Sequence, residues 1–180
     1  GSGCTGLINF KDATERMSYE QVQDAYPELI PGLVRHPGIG WVLVKSEMNG
    51  SMVIGKAGIN YLDVGTVEGA DPLTVYGPGA AAKLKRESNF PNCPDILVNT
   101  TYDPSTQELC GFENQASHHG GLGGPQNHPF IFYPAELPYD GTPILGAMNV
   151  HRLLRGWREQ VQGLPDTLSL PLATVTEPNA

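Results

Sequence analysis

The sequence predicts a mixed, mostly parallel α/β sheet with helices packed on it. Three observations lead there. Residues 41–45 (Trp-Val-Leu-Val-Lys) and 95–99 (Asp-Ile-Leu-Val-Asn) are near-continuous apolar runs of strand length. Such runs mark strands buried on both faces. Helical patterns at 78–86 and 146–161 alternate with the strands, as in layered α/β domains. Charged residues make up only 17% of the 180 residues, and the chain carries 22 glycines and 16 prolines, which suits a loop-rich α/β domain better than a helical bundle. That length is one domain or a large part of one and buries a sizeable core.

The elements follow in order. Residues 1–10 read as the end of a strand and its following loop, as though the domain began upstream. Ser18 opens a helix as N-cap, with Gln21 three residues on completing a capping box. Val22, Ala25, Tyr26, Leu29 and Ile30 follow at helical spacing, and Pro27 and Pro31 divide the run into two short pieces. Arg35 and His36 suit a helix C-terminus before Pro37-Gly38, with His36 a cap rather than a ligand. The strand at 41–45 meets a partner at 52–55 across Asn49-Gly50, a strong hairpin signal. A weaker strand lies at 59–62, and the loop at 67–72 carries Glu68 and Asp71. Residues 78–86 form a helix with Pro78 in its first turn and Lys83, Lys85 and Arg86 in its last. The strand at 95–99 leads to a loop or hairpin around Asp103-Pro104-Ser105. Residues 129–133 are another strand candidate.

The last helix, from 146, places Ala147, Val150, Leu154, Trp157 and Val161 on one face. Arg152, Arg155 and Arg158 form a basic row, read as a solvated face or as a contact for an acidic lipid or partner domain. The domain spans 1–162, and 163–180 is a Pro- and Thr-rich tail.

One stretch organises the rest: residues 117–124, Ser-His-His-Gly-Gly-Leu-Gly-Gly. Glycine at that density lets backbone come close to a ligand and permits positive φ. A histidine entering such a loop is a candidate metal ligand or proton carrier. The candidates are His119 as metal ligand, with Ser117, His118, Gly120, Gly121, Gly123 and Gly124 forming the ligand loop. Asn114 and His128 stand behind them as supporting groups. His119 directly precedes the double glycine, so it is expected in the cleft at the carboxyl end of the sheet. His118 is one residue earlier and should point to the opposite side. The plainer alternative is a glycine-rich surface turn between ordinary histidines.

Composition narrows the partners. A net charge of −8 argues against nucleic acid. No stretch reaches the length of a transmembrane helix. Cys4, Cys93 and Cys110 form neither a disulfide framework nor a zinc ribbon and suit free thiols in a reducing compartment, with a Cys93–Cys110 bridge as the alternative.

Four segments together carry a resemblance: 33–40 with His36-Pro37-Gly38-Ile39-Gly40, 67–73 (Val-Glu-Gly-Ala-Asp-Pro-Leu), 94–96 (Pro-Asp-Ile), and 119–124 (His-Gly-Gly-Leu-Gly-Gly). From about residue 2 to 157 the chain resembles the C-terminal portion of a bacterial alkaline-phosphatase-superfamily domain. The branch is that of type I phosphodiesterase/nucleotide-pyrophosphatase-like proteins, in particular an actinobacterial group joined to a holin-like membrane segment. The resemblance implies an alkaline-phosphatase-like fold, here an incomplete domain. It implies two divalent metal ions, usually zinc, and a Thr or Ser nucleophile. A late His-Gly pair supplies one of the last metal ligands, and His119-Gly120 takes that place. Paired metals would screen phosphate charge and activate the nucleophile. The family's Ser-Asp-His-Gly metal motif would fall at 2–5, where Ser-Gly-Cys-Thr stands without the Asp and His.

What the resemblance implies is therefore part of a metal-dependent phosphodiester hydrolase-like domain, inactive as this piece alone, because the nucleophile would lie upstream. The competing class is a non-catalytic module of a membrane-associated protein that binds a phosphorylated ligand or an envelope polymer. The expected partners are a phosphoester or envelope polymer and the upstream part of the same parent chain. The expected location is cytoplasmic, or at a membrane through a segment outside this chain.

Overall fold

A computed structural model describes Gly1 and residues 3–163. The described chain falls into two compact units, Gly1–Pro129 and Phe130–Ala180. The tail read over 163–180 lies outside the described residues from 164 onward.

The first unit is built on a six-stranded sheet of order β1-β6-β2-β3-β4-β5. Its strands are β1 (Thr5–Ile8), β2 (Ile39–Ser46), β3 (Gly50–Gly55), β4 (Gly58–Tyr61), β5 (Thr66–Gly69) and β6 (Ile96–Thr100). Every neighbouring pair is antiparallel. The mostly parallel, alkaline-phosphatase-like sheet expected from the sequence is therefore corrected. The reason lies in the connections. Turns at 47–49, 56–57 and 62–65 reverse the chain at once, while a parallel neighbour needs a crossover of a dozen or more residues. Helical crossovers do exist. The helices α1 (Tyr19–Ala25) and α2 (Leu29–Arg35) join β1 to β2, but β6 lies between those two strands and runs against both.

The apolar runs nevertheless report burial correctly. Trp41, Leu43, Val53 and Leu97 pack with Leu73, Tyr76 and two residues of α3 (Ala80–Ser88), Ala80 and Leu84. Val42, Val44, Met52, Ile96 and Val98 pack with Val22 of α1 and Ile30 of α2. Helices thus cover both faces, and successive residues of β2 serve opposite cores. Each fully buried side chain of this kind contributes about 1.5–3 kcal/mol, so neither face is dispensable.

Local chemistry explains the element ends. Ser18 accepts the N–H of Gln21, and the Gln21 side chain accepts the N–H of Ser18, closing the expected capping box. Pro27 lies between the helices, and Pro31 falls in the first turn of α2, where a missing N–H costs little. His36 ends α2, and its Nδ1 accepts the Gly38 N–H at 3.1 Å. Glu68 and Asp71 are used separately. Glu68 accepts the Tyr61 hydroxyl, and Asp71 accepts from Asn60 and the Leu73 N–H.

The second unit is described by itself. The strand expected at 129–133 does not form, and Phe130 and Phe132 stand exposed. Tyr133 instead stacks on Trp157 at 4.7 Å, and the Trp157 indole donates to the Pro138 carbonyl at 2.8 Å. Trp157 belongs to α4 (Ala147–Val161). Of the apolar face read for that helix only Trp157 is buried, while Leu154 and Val161 are exposed and Asn149 and Glu159 are buried. Nor is the arginine row uniformly solvated, since Arg155 pairs with Glu159 at 2.9 Å and Arg152 donates to Asn149. Among the described residues no helix is long and apolar enough to cross a membrane.

Asp95 ties the segment before α1 to the start of β6. It is 5% exposed, and its two oxygens accept the Phe10 N–H at 2.7 Å and the Met17 N–H at 2.6 Å. Asp95→Ala strands both donors, and chemical denaturation should show a loss of about 2–4 kcal/mol, the size expected for hydrogen bonds to a charged group. Asp63 supplies a pH-dependent contribution. The Ser51 N–H, at 2.7 Å, and then Lys85 hold its carboxyl below the ordinary value. A depressed folded value means stability that is present above the unfolded pKa of about 3.9 and lost as pH falls through the folded one. The stability gap between the native chain and Asp63→Asn should therefore close as pH drops from about 5 into that range. A gap that stays constant in urea titrations would refute the linkage.

Candidate functional site

The glycine loop sits at the sheet edge where β6 ends and where β1 and β2 begin. Beyond β6 the chain forms a hairpin of β7 (Tyr102–Asp103) and β8 (Glu108–Leu109). This realises the hairpin alternative around Asp103-Pro104-Ser105. Gly123 and Gly124 lie on Tyr102 and Leu109 of that hairpin, with positive φ at both.

Two side-chain amides hold the loop. Asn99 is fully buried near the end of β6. Its Oδ1 accepts the Leu122 N–H at 2.8 Å, and its Nδ2 donates to the Leu122 carbonyl at 3.1 Å and to the Thr100 carbonyl at 3.0 Å. Gln126, in a 3-10 turn (Pro125–Asn127), repeats the pattern on Gly120. Its Oε1 accepts the Gly120 N–H at 3.0 Å, and its Nε2 donates to the Gly120 carbonyl at 3.1 Å. Between the two clamps Gly121 has φ +71°, and a Cβ there would run into Asn99 Oδ1 and Thr5 Oγ1. The glycines thus serve close approach by the protein's own groups. The amides of Gly120 and Leu122 already have partners within the chain.

The loop also reaches the start of the chain. The Cys4 N–H points to the His119 carbonyl at 3.4 Å, and a Cβ on Gly3 would collide with that carbonyl. Cys4 itself is fully buried, and burial pushes its thiol up. It is a core residue.

The surroundings of the two histidines differ from the expectation that His119 would face the cleft. His119 is exposed. His118 is half-buried with its ring over Gly111, and its Nδ1 is buried without a hydrogen-bond partner. His118, not His119, lines a cleft of about 660 Å³ together with Ser117, Gln126, Cys110, Asp103 and Glu108. An antiparallel sheet has no common carboxyl edge, so the location expected for His119 does not exist in this fold. Thr5 Oγ1, beside Gly121, is a second buried polar atom without a partner. Asn114 and His128 are both exposed. The His128 backbone closes the 3-10 turn on Pro125.

The cleft is acidic in character. Asp103 and Glu108 line it, and no Lys or Arg does. The Ser105 hydroxyl and amide hold the Asp103 carboxyl below its usual range. The expected zinc does not fit the residues in hand. A zinc site takes three or four protein ligands, and among the described residues no group of three or more His, Cys, Asp and Glu side chains could hold a metal ion. His119 offers one imidazole.

Nothing in the sequence signals that Asn99 and Gln126 hold the loop. Asn99 looked like the polar end of an apolar strand. Only its place opposite Leu122, 23 residues on, gives it a role. Substituting Gly121 tests the moulded loop. Gly121→Ala is expected to lower stability by at least about 1 kcal/mol, from the positive φ and the displaced Asn99 amide together. Gly65→Ala, at another positive φ but with open space around it, should cost less in the same denaturation experiment.

Comparison with family models, with curated proteins and with solved structures finds no match to this chain.

Proposed function

We propose that this chain is the loop-bearing part of a metal-dependent phosphoester hydrolase-like domain. In this reading it contributes one ligand, His119, and does not turn over phosphoesters by itself. One observation carries the reading. The stretches that the resemblance assigns to the metal, 2–5 and 119–120, are far apart in sequence, yet the His119 carbonyl rests on Gly3 and Cys4. The remaining ligands and the nucleophile would come from an upstream part of the parent chain, and the function is proposed on this site rather than on the sheet. Zinc is the ion that the resemblance implies; the described residues offer it one imidazole, and the other ligands would have to come from outside them.

A second reading, a non-catalytic module for an envelope polymer or phosphorylated ligand, has its own support in the cleft on the His118 side. Hydroxyl, amide and carboxylate groups gather there without a cation, which suits a hydroxyl-rich polymer better than a phosphate.

The decisive experiment is metal analysis of the full-length protein, coupled to hydrolysis of a generic phosphodiester and a generic phosphomonoester. The 180-residue chain alone should hydrolyse neither faster than buffer. In the full-length protein His119→Ala should lower zinc affinity on the order of tenfold or more, and His118→Ala should do less. Equal effects of the two substitutions would overturn the assignment of His119. Metal-free full-length protein that retains an envelope-glycan ligand would favour the second reading.

A further inference from the structure

We propose that the outer edge of β1 is an interaction surface. Its occupant is a second copy of this chain, whose own β1 adds to the sheet as an antiparallel strand.

β1 is an end strand, with β6 as its one neighbour in the sheet. Hydrogen-bonding groups of successive residues alternate between the two sides of a strand. The Cys4 carbonyl accepts the Thr100 N–H, so Cys4, Gly6 and Ile8 face β6. Gly3, Thr5 and Leu7 therefore face outward. The Gly3 carbonyl agrees, since it accepts the N–H of Phe112, a residue outside the sheet, at 2.9 Å. The backbone N–H and C=O of Thr5 and Leu7 have no partner among the described residues.

An open edge is a template for another strand, and proteins ordinarily blunt it with charge, proline or a bulge. Residues 3–9 hold no charge and no proline, and the β1–β6 register runs without a shift. Leu7 is 58% exposed. The chain carries a net charge of −8, so two copies meet with least repulsion over an uncharged stretch. The opposite edge, β5, is different. Ala70 donates to the Ala57 carbonyl, so Glu68 faces β4 while Val67 and Gly69 face outward. Pairing two copies there through Val67 and Gly69 would set Glu68 directly against its own copy, and like charges so placed are destabilising.

One register of β1 on β1 uses every free group. With the two-fold axis at Gly6, Thr5 of each copy stands opposite Leu7 of the other, and each such pair exchanges two hydrogen bonds. An axis at Thr5 would set Leu7 against Gly3, whose carbonyl is already taken by Phe112. An axis at Leu7 would set Thr5 against Asn9, beyond the strand. At Gly6 the two backbones approach without side chains, and the Phe112 ring supplies the missing cover. A Cβ on Gly6 would lie 3.3 Å from that ring, which belongs to a residue 45% exposed. The axis brings both rings to one face of the enlarged sheet, where their exposed sides meet. An aromatic ring over an edge glycine stabilises a strand that glycine weakens.

The edge is short, so the dimer belongs with small, weak interfaces. Sedimentation and amide hydrogen exchange of the purified chain are followed from about 1 μM to about 1 mM. A monomer–dimer equilibrium is expected. Across it the Thr5 and Leu7 amides should gain protection on the order of tenfold or more, while those of Gly6 and Ile8 stay protected throughout. Leu7→Pro removes an outward N–H and no bond to β6, a change that edge strands tolerate. It should abolish the dimer and leave the monomer folded. If Leu7→Pro does not fold, Leu7→Lys places a charge on the same edge and should weaken the dimer on the order of tenfold. Val67→Pro, the matching change on β5, should leave the dimer intact. A chain that stays monomeric at about 1 mM overturns the proposal. So does a dimer that survives Leu7→Pro and Leu7→Lys, or one whose Thr5 and Leu7 amides exchange as in the monomer. Protection of those two amides by a different extended segment, in a chain that stays monomeric, would give the edge to another occupant and overturn the two-copy assignment.

Discussion

The structure depends on the pairing of β2 with β6. Leu43 stands opposite Leu97 and Val42 opposite Val98, and those two rows of side chains face different cores. A change in register by one residue would exchange the rows and put every side chain on the wrong face. The helices on both faces are matched to that register: α3 with Leu84 on one, α1 and α2 with Val22 and Ile30 on the other. Because β6 is the last strand of the sheet in sequence, this pairing also closes the unit. It brings residues near position 97 onto a hairpin formed near position 43.

The candidate site follows from where β6 ends. Asn99 is the residue at which the apolar strand gives way to polar chemistry. On one side lies β1, on the other β2, and beyond the strand come the β7–β8 hairpin and the glycine loop. A polar side chain is tolerated there because all its hydrogen-bonding atoms are satisfied by backbone. The glycines owe their identity to the same crowding. Gly121 lies on Asn99 and Thr5, Gly123 and Gly124 on Tyr102 and Leu109, and Gly3 under the His119 carbonyl. A motif that looks like a ligand cradle is, in its backbone, largely occupied by its own protein. The side chains it leaves exposed are those of Ser117 and His119.

The two units contrast in how their apolar residues are used. In the first, apolar runs predicted from sequence are buried almost completely. In the second, Phe130, Phe132, Leu154 and Val161 are exposed while Asn149 and Glu159 are buried. Tyr133 and Trp157 hold the local packing there, with the indole N–H satisfied by a carbonyl. Aromatic stacking with a satisfied polar edge is a stable local arrangement. It does not need the strand that residues 129–133 would otherwise suggest.

The sequence by itself determined several features whose cause is local. The Ser18 capping box, the break between α1 and α2 at Pro27, the Asn49-Gly50 hairpin, the His36 cap and two-sided burial at 41–44 all depend on neighbours within a few positions. It also marked 117–124 as a glycine-dense stretch, because composition is local too. Strand direction was decided by tertiary structure. A continuous apolar run reports that both faces are covered, and helices cover an antiparallel sheet as well as a parallel one. The insertion of β6 between β1 and β2 leaves no trace in periodicity. The roles of Asn99 and Gln126, the docking of His119 on Gly3 and Cys4, and the turning of His118 rather than His119 toward the cleft were likewise decided there. Each depends on a contact between residues whose approach is set by packing, and the identity of either partner alone does not encode it.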